Sequence, residues 1–192
     1  MRARNDNAIF IGGNTGEAIV KNVILQSGLK FHSDIYLEYN DEVTQIDFII
    51  VLNNSLACIE VKNYTKCSIQ GDEHSRCWTA SYRSGNKPVL NPINQNKKHI
   101  EFMKGIFGEI PIWNITVFSS GCNIHISEIT DPLTKVVGLT DLWYILTDLK
   151  YSQNRSKLKL DTEKIMSILD SYQSRRSELY KKHQDTHFNN NK

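Results

Sequence analysis

The run Ile46-Asp47-Phe48-Ile49-Ile50-Val51-Leu52 is apolar at every position except Asp47. Such a run reads as a strand covered on both faces. A lone buried carboxylate costs several kcal/mol, roughly, unless it meets a cation or a cluster of hydrogen-bond donors. Asp47 therefore predicts a partner elsewhere in the chain. The next apolar run, Leu56-Ala57-Cys58-Ile59-Glu60-Val61-Lys62, follows after the polar turn Asn53-Asn54-Ser55. Side chains alternate along a strand, so Glu60 and Lys62 share one face, and Ile59 and Val61 share the other. A short turn joins the two runs, which concentrates two acids and an amine on neighbouring strands. Asp47 and Glu60 converge if both turn to the same side.

Two carboxylates beside an ammonium suit a hard divalent cation. Mg²⁺ prefers oxygen ligands and keeps several waters, so one or two carboxylates and a substrate phosphate suffice. Such an ion polarises a phosphoryl oxygen and lowers the pKa of bound water, while a neighbouring lysine orients water and offsets developing charge. The competing arrangement is an internal Asp/Glu–Lys ion-pair cluster. Each residue taken singly favours the ion pair; the three together favour a site.

The surrounding pattern predicts the frame. Asn14 caps a helix carrying Ala18, Ile19, Val23 and Ile24 and ending at Gly28. Ile35–Tyr39, Gln45–Leu52 and Leu56–Lys62 form an antiparallel meander with tight polar turns. Ser68–Gly71 and Cys77–Ala80 suggest a hairpin around the polar stretch Asp72–Arg76. Asn91-Pro92 then opens a helix with Ile93, Ile100, Met103 and Phe107, ending near Gly108. Ile112–Phe118 follows as a strand and Ile124–Ile126 as a short one, and Thr140 caps a helix reaching Leu149. A last helix runs from about Asp161 through Ile165, Ile168, Leu169, Tyr172 and Leu179, and the tail beyond His183 is expected to be disordered. The crossover from Lys62 to Ile112 sets a parallel strand beside the meander, giving an α/β fold with a mixed central β-sheet flanked by helices. The expected division is 1–160 for the domain and 161–192 for the C-terminal helix and polar tail.

Composition narrows the classes. With 40% hydrophobic and 23% charged residues, the 192-residue chain has globular rather than disordered composition. No apolar run approaches the ~20 residues of a membrane-spanning helix. The start lacks an apolar core for a secretory signal, and Cys58, Cys67, Cys77 and Cys122 form no CxxC pair. A cytoplasmic protein with reduced thiols is expected. The net charge of +2 is too small to imply nucleic-acid binding by itself. The C-terminal quarter is basic, with Lys150, Arg155, Lys157 and Lys159, then Arg175, Arg176, Lys181 and Lys182. Such a stripe attracts phosphate, although solvated lysines are its commoner use.

Asp47 followed by Glu60-Val61-Lys62 resembles the PD-(D/E)xK nuclease superfamily. The ordered set is Gly16-Glu17, Gln45-Ile46-Asp47-Phe48, Ile59-Glu60-Val61-Lys62-Asn63-Tyr64, Trp78, then Asn91-Pro92 with Gln95. This resembles the nuclease-related domain, NERD, over about residues 10 to 120. One departure is Ile46 where the superfamily's motif has proline; metal binding does not require that proline. The resemblance implies a restriction-endonuclease-like fold and hydrolysis of phosphodiester bonds with Mg²⁺ or Mn²⁺. It implies metal ligation by Asp47 and Glu60, with the Val61 carbonyl and Glu17 as further ligands, and catalytic roles for Lys62 and Gln95.

Glu17 has a second reading, since Asn14 and Glu17 stand at the spacing of a capping box. Tyr64 is placed to stack on bases, and Lys97 and Lys98 to reach the nucleic-acid backbone, although packing and solvation are the ordinary fates of such residues. Packing is the favoured role of Trp78. DNA is the expected partner, RNA the alternative, and no membrane is involved. A homodimer is compatible with the final helix. A silent nucleic-acid-binding or protein-interaction module on the same fold is the competing function; retention of all three of Asp47, Glu60 and Lys62 argues for the enzyme.

Overall fold

The computed structural model describes residues 7–119, 121–127 and 129–189. Helix α1 (Asn7–Ser27) leads into the meander β1 (Lys30–Tyr39), β2 (Glu42–Val51) and β3 (Leu56–Lys62). Three short strands follow, β4 (Ser68–Gly71), β5 (Cys77–Tyr82) and β6 (Gly85–Leu90). Helix α2 (Pro92–Phe107) crosses to β7 (Ile112–Phe118), and then come β8 (Asn123–Ile126), β9 (Thr134–Gly138) and α3 (Leu139–Ser152). A 3-10 turn (Gln153–Arg155), α4 (Thr162–Ser174) and α5 (Arg176–Asn189) complete the described chain.

The central sheet has the order β1-β2-β3-β7-β9. Its first two pairings are antiparallel, and those of β3 with β7 and β7 with β9 are parallel. This is the mixed sheet flanked by helices that the sequence predicts. Val20 and Ile24 of α1 and Leu142, Leu146 and Leu149 of α3 pack on one face, against Phe48, Ile50, Ala57 and Ile59. Met103 of α2 and Ile165 and Leu169 of α4 pack on the other, against Ile49, Val51, Leu56 and Cys58. Among the described residues no helix is long and apolar enough to cross a membrane.

The alternation of β1 and β2 breaks at one level. Pairing is regular on either side, Ser33 opposite Phe48 and Ile35 opposite Ile46, but Asp34 and Asp47 form no pair between them. Asp34 has φ 51°, in the left-handed region. Below the break Phe31 and Phe48 face α1 and α3, and above it Ile35, Leu37 and Ile46 face α2 and α4. Asp34 is held there by Gln45 Nε2, which donates to its carboxylate at 2.9 Å, and by the Arg176 guanidinium.

Helix α2 is fastened by polar groups where apolar spacing alone suggests only grease. Asn96 is fully buried; its Nδ2 donates to the Cys58 carbonyl at 2.9 Å and to Asn114 Oδ1 at 2.8 Å, and its Oδ1 accepts from the Cys58 thiol at 2.8 Å. Asn114 Nδ2 returns a bond to the Ile93 carbonyl at 3.1 Å. These bonds fix the rotation and height of α2 over β3 and β7. The helix starts where expected, with the Asn91 side chain accepting from the Ile93 amide at 2.9 Å and Pro92 in the first turn.

A second sheet, β6-β5-β4-β8, packs beside the first. Trp78 is 2% exposed; its ring stacks on Phe118, and its Nε1 donates to the Asp72 carbonyl at 2.8 Å, so it serves packing. A Cβ on Gly71 would run into that indole ring.

Several local expectations change. Helix α1 starts at Asn7, so Asn14 lies inside the helix rather than at its N-terminus. Strands β6 and β9 are additional, and α3 is capped by Gly138 rather than Thr140. The final helix breaks at Arg175 into α4 and α5. The segment beyond His183, expected to be disordered, stays helical to Asn189, with 190–192 outside the described residues. Helix α5 returns over β1, and three of the basic C-terminal residues are spent there. Arg175 and Lys182 bond Glu38 at 2.9 and 2.7 Å, and Arg176 bonds Asp34.

Replacing Asn96 by Ala leaves the Cys58 carbonyl and Asn114 Oδ1 buried without that donor. The expected loss is about 2–4 kcal/mol of unfolding free energy. Urea titration checks it: the midpoint falls and the slope is kept.

Candidate active site

The antiparallel ladder between β2 and β3 runs from Val51 opposite Leu56 to Phe48 opposite Ile59 and stops there. The next residues of the two strands are Asp47 and Glu60. Where the strands part, the Val61 amide donates to Asp47 Oδ2 at 2.8 Å, a side chain standing in for the missing backbone acceptor. Asp47 is thereby tied to β3 between Glu60 and Lys62. It also lines a small pocket of about 180 Å³ with Glu17, Lys21 and Asp34.

Glu60 and Lys62 turn toward α2, as the alternation predicts. Lys62 Nζ donates to Glu60 Oε1 at 2.7 Å and to Gln95 Oε1 at 2.8 Å. The other Glu60 oxygen lies 3.5 Å from His99 Nε2, and His99 Nδ1 is 2.7 Å from Thr44 Oγ1. Glu60 and His99 are both buried, 5% and 8% exposed. Gln95 and His99 stand one turn apart on α2, with the Asn96 anchor between them, so one set of bonds places both. Sequence reasoning missed His99 and Thr44. The available signal was the i, i+4 spacing of Gln95 and His99 on a helix whose start Asn91-Pro92 already fixed.

Glu17 reaches the same end of the sheet from α1. Gly16 makes this possible, since a Cβ there would strike the Ser119 hydroxyl and the Asn63 side chain just beyond β7 and β3. With Asn14 inside the helix, the capping-box reading of Glu17 falls. Burial, then the charges of Asp34 and Glu60, raise the Glu17 pKa above the ordinary carboxylate value. Burial first, then Glu60, pushes Asp47 up to about 8; Glu17 adds to this, and the Val61 amide and Lys62 oppose it. Burial acts on Glu60 in the same sense, but bonding to His99 and the Lys62 charge outweigh it, and its pKa is lowered. One acid at the fork is thus compensated, whereas the other two, which have no ion pair among the described residues, are held toward their protonated forms.

The nucleic-acid contacts divide. Lys98 is exposed beside Gln95. Lys97 is committed to buried Glu73, with Nζ 3.6 Å from Oε1. The Tyr64 ring packs against Phe118, with centroids 6.2 Å apart, and belongs to the core of the second sheet.

The donor set can be tested against a divalent cation. Glu17, Asp47 and Glu60 bring three carboxyl groups to the neighbourhood of the Lys62 ammonium, with Lys21 lining the pocket beside Glu17 and Asp47. Among the described residues neither Asp47 nor Glu17 has an ion pair, so the local charge fits a hard cation. Also among the described residues, no three His, Cys, Asp or Glu side chains converge closely enough to enclose a metal by themselves. An ion held here would take one or two carboxylates and complete its shell with water and phosphate oxygens, the ordinary habit of Mg²⁺.

Comparison with known proteins gives a consistent result. The family described as nuclease-related domain, NERD, matches residues 12–119, more than half of the chain and all of the groups at the fork. An uncharacterized protein of Bacillus anthracis is 30% identical over 127 residues, which are 60% of this chain and 59% of that protein. The chain thus spans less than two thirds of the length of the curated relative it matches. No solved structure matches significantly.

In the absence of metal, the raised pKa of Asp47 makes its ionisation a cost to the folded state. That cost is absent below the unfolded value, near 3.8, and grows as pH rises toward about 8. Asp47→Asn is therefore expected to melt several degrees above the wild type at pH 8 in chelator, with the difference vanishing near pH 4. Scanning calorimetry across that range checks it; a difference of constant size contradicts the electrostatic origin.

Proposed function

Since this chain belongs to the nuclease-related domain family, we propose that it is a metal-dependent nuclease hydrolysing phosphodiester bonds, with DNA as substrate. The observation that supports this reading best is the Lys62 ammonium held between Glu60 and Gln95, next to an Asp47 carboxylate anchored on the Val61 amide. An ammonium has three donors, and two are taken by Glu60 and Gln95. The third has no acceptor among the described residues and would serve the attacking water or a non-bridging phosphoryl oxygen. A lysine so held is oriented before substrate arrives and needs no rearrangement as charge develops on the phosphorane.

Glu60 and Gln95 are positioning groups for that ammonium, and His99, steadied by Thr44, positions Glu60 in turn. Asp47 and Glu60, with Glu17 and the Val61 carbonyl, are the groups that would hold Mg²⁺ or Mn²⁺. When bound, such an ion supplies Lewis-acid polarisation of the phosphate and acidifies bound water. In the balanced reaction, the water oxygen bonds to phosphorus and releases one proton to solvent, the phosphorus–oxygen ester bond breaks, and the leaving alkoxide takes a proton from solvent.

Asp47→Ala, Glu60→Ala and Lys62→Ala are each expected to lower plasmid nicking at least about 100-fold. The circular dichroism spectrum should be kept in all three. Undiminished cutting by all three variants refutes the assignment and leaves a binding module on the same fold. Ca²⁺ is expected to support oligonucleotide binding but little cleavage, because its larger and looser shell positions water less well. Equal turnover in Ca²⁺ and Mg²⁺ contradicts that part of the reading.

A further inference from the structure

The loop from Asp72 to Arg76, between β4 and β5, holds two acids and two basic side chains in five residues, and the fold sorts them by direction. Asp72 is spent on its own loop. Its Oδ1 accepts from the His74 and Ser75 amides at 2.8 and 2.7 Å, and its Oδ2 accepts from the Ser75 hydroxyl. Glu73 turns inward and is 4% exposed; its Oε2 accepts from the Thr130 amide and hydroxyl, both at 2.8 Å, and its Oε1 meets Lys97. His74 and Arg76 are left exposed, and among the described residues Arg76 has no ion-pair partner.

Helix α2 holds this loop rigidly. Asn91 is 1% exposed, and its Nδ2 donates to the carbonyls of Asp72 at 3.2 Å and Ser75 at 2.7 Å. Asn94 Nδ2 adds a bond to the Ser75 carbonyl at 3.3 Å, and the Asn91 amide donates to the Arg76 carbonyl at 3.1 Å. Alongside the clamp lie two adjoining cavities, about 420 Å³ by His74 and Arg76 and about 580 Å³ by Thr44 and His99. They share Leu90, Gln95 and Lys98 and so form one trough. Gln95, which lines both cavities, is the residue that accepts from Lys62, so one side chain separates the trough from the proposed catalytic lysine. Lys98 also has no ion pair among the described residues. Leu90, 65% exposed on the edge strand β6, stands at the junction as an apolar projection.

We propose that this trough receives the nucleic-acid strand leading away from the cleaved bond, with Lys98 and Arg76 on successive phosphates and Leu90 against a sugar or base. The proposal rests on the nuclease reading and adds the path of the substrate. Unpaired cations on a preorganised frame suit a phosphodiester backbone, because contact releases counterions without breaking an internal bond. The direction follows from charge. The half of the trough by Thr44 also meets Glu42, which repels phosphate, whereas the half by Arg76 is lined by cations and amides.

The test is fluorescence anisotropy of a labelled single-stranded DNA, and of an RNA of the same sequence, with the full chain in Ca²⁺. Arg76→Ala and Lys98→Ala should each weaken binding several-fold. Each should also reduce the slope of log K against log salt by about 0.7, the loss of one phosphate contact on a single strand. Cleavage in Mg²⁺ should show a raised KM with kcat kept, as for lost uniform binding. Lys66→Ala, just before β4, and Arg83→Ala, in the β5–β6 turn, lie together at a separate pocket and should leave all three quantities unchanged. Wild-type affinity in both Arg76→Ala and Lys98→Ala, with cleavage intact, overturns the path and leaves the nuclease standing. Loss confined to the Lys66 and Arg83 variants also overturns it, and a wild-type chain that neither binds nor cuts overturns both readings.

Discussion

A single hydrogen bond, from the Val61 amide to the Asp47 carboxylate, organises the end of the molecule where β2 and β3 part. In an unbroken sheet that amide would meet a carbonyl of β2. Here β2 and β3 separate after Phe48 and Ile59, and the donor is satisfied by a side chain instead. A buried backbone donor left without an acceptor is costly, so the acid cannot leave the fork without cost to the fold. The same residue that caps the divergence is thereby presented next to Glu60 and Lys62. The break is prepared on both strands, because Asp34 opposite Asp47 is also unpaired and adopts a left-handed backbone.

The second requirement is the height of α2. Helix packing by apolar contact alone tolerates small slides and rotations, and Gln95 would then miss Lys62. The bonds among Asn96, Asn114 and Cys58 remove that freedom, since each buried polar atom must keep its partner. Two groups of residues at this end act on stability in opposite senses. The Asn96 network strengthens the fold and positions Gln95 and His99, whereas burial and neighbouring acids hold Asp47 and Glu17 above the ordinary carboxylate pKa.

Charge is distributed by use rather than by count. The net +2 conceals acids folded into the fork and into the Asp72–Arg76 loop, and cations left facing outward at Arg76 and Lys98. The most conspicuous basic stretch in the sequence, the C-terminal quarter, does something else. Arg175, Arg176 and Lys182 bond Glu38 and Asp34 and bring α5 back onto β1. Lys97 and Lys98 show the same division at adjacent positions, one committed to Glu73 and the other open to solvent.

The sequence by itself determined the meander and the α2 crossover, and it placed Asp47, Glu60 and Lys62 on neighbouring strands. Alternation, turn residues and a carboxylate in an apolar strand are local signals, and they act before any tertiary contact forms. It could not show the flip of face at Asp34 and Asp47, the burial of Asn96 and His99, or the helical course of the residues after His183. A polar side chain on a helix looks alike in sequence whether it meets water or a buried partner. Tertiary structure decided those points, and it also decided which lysines remain free, because an ion pair depends on distances between segments that lie far apart along the chain.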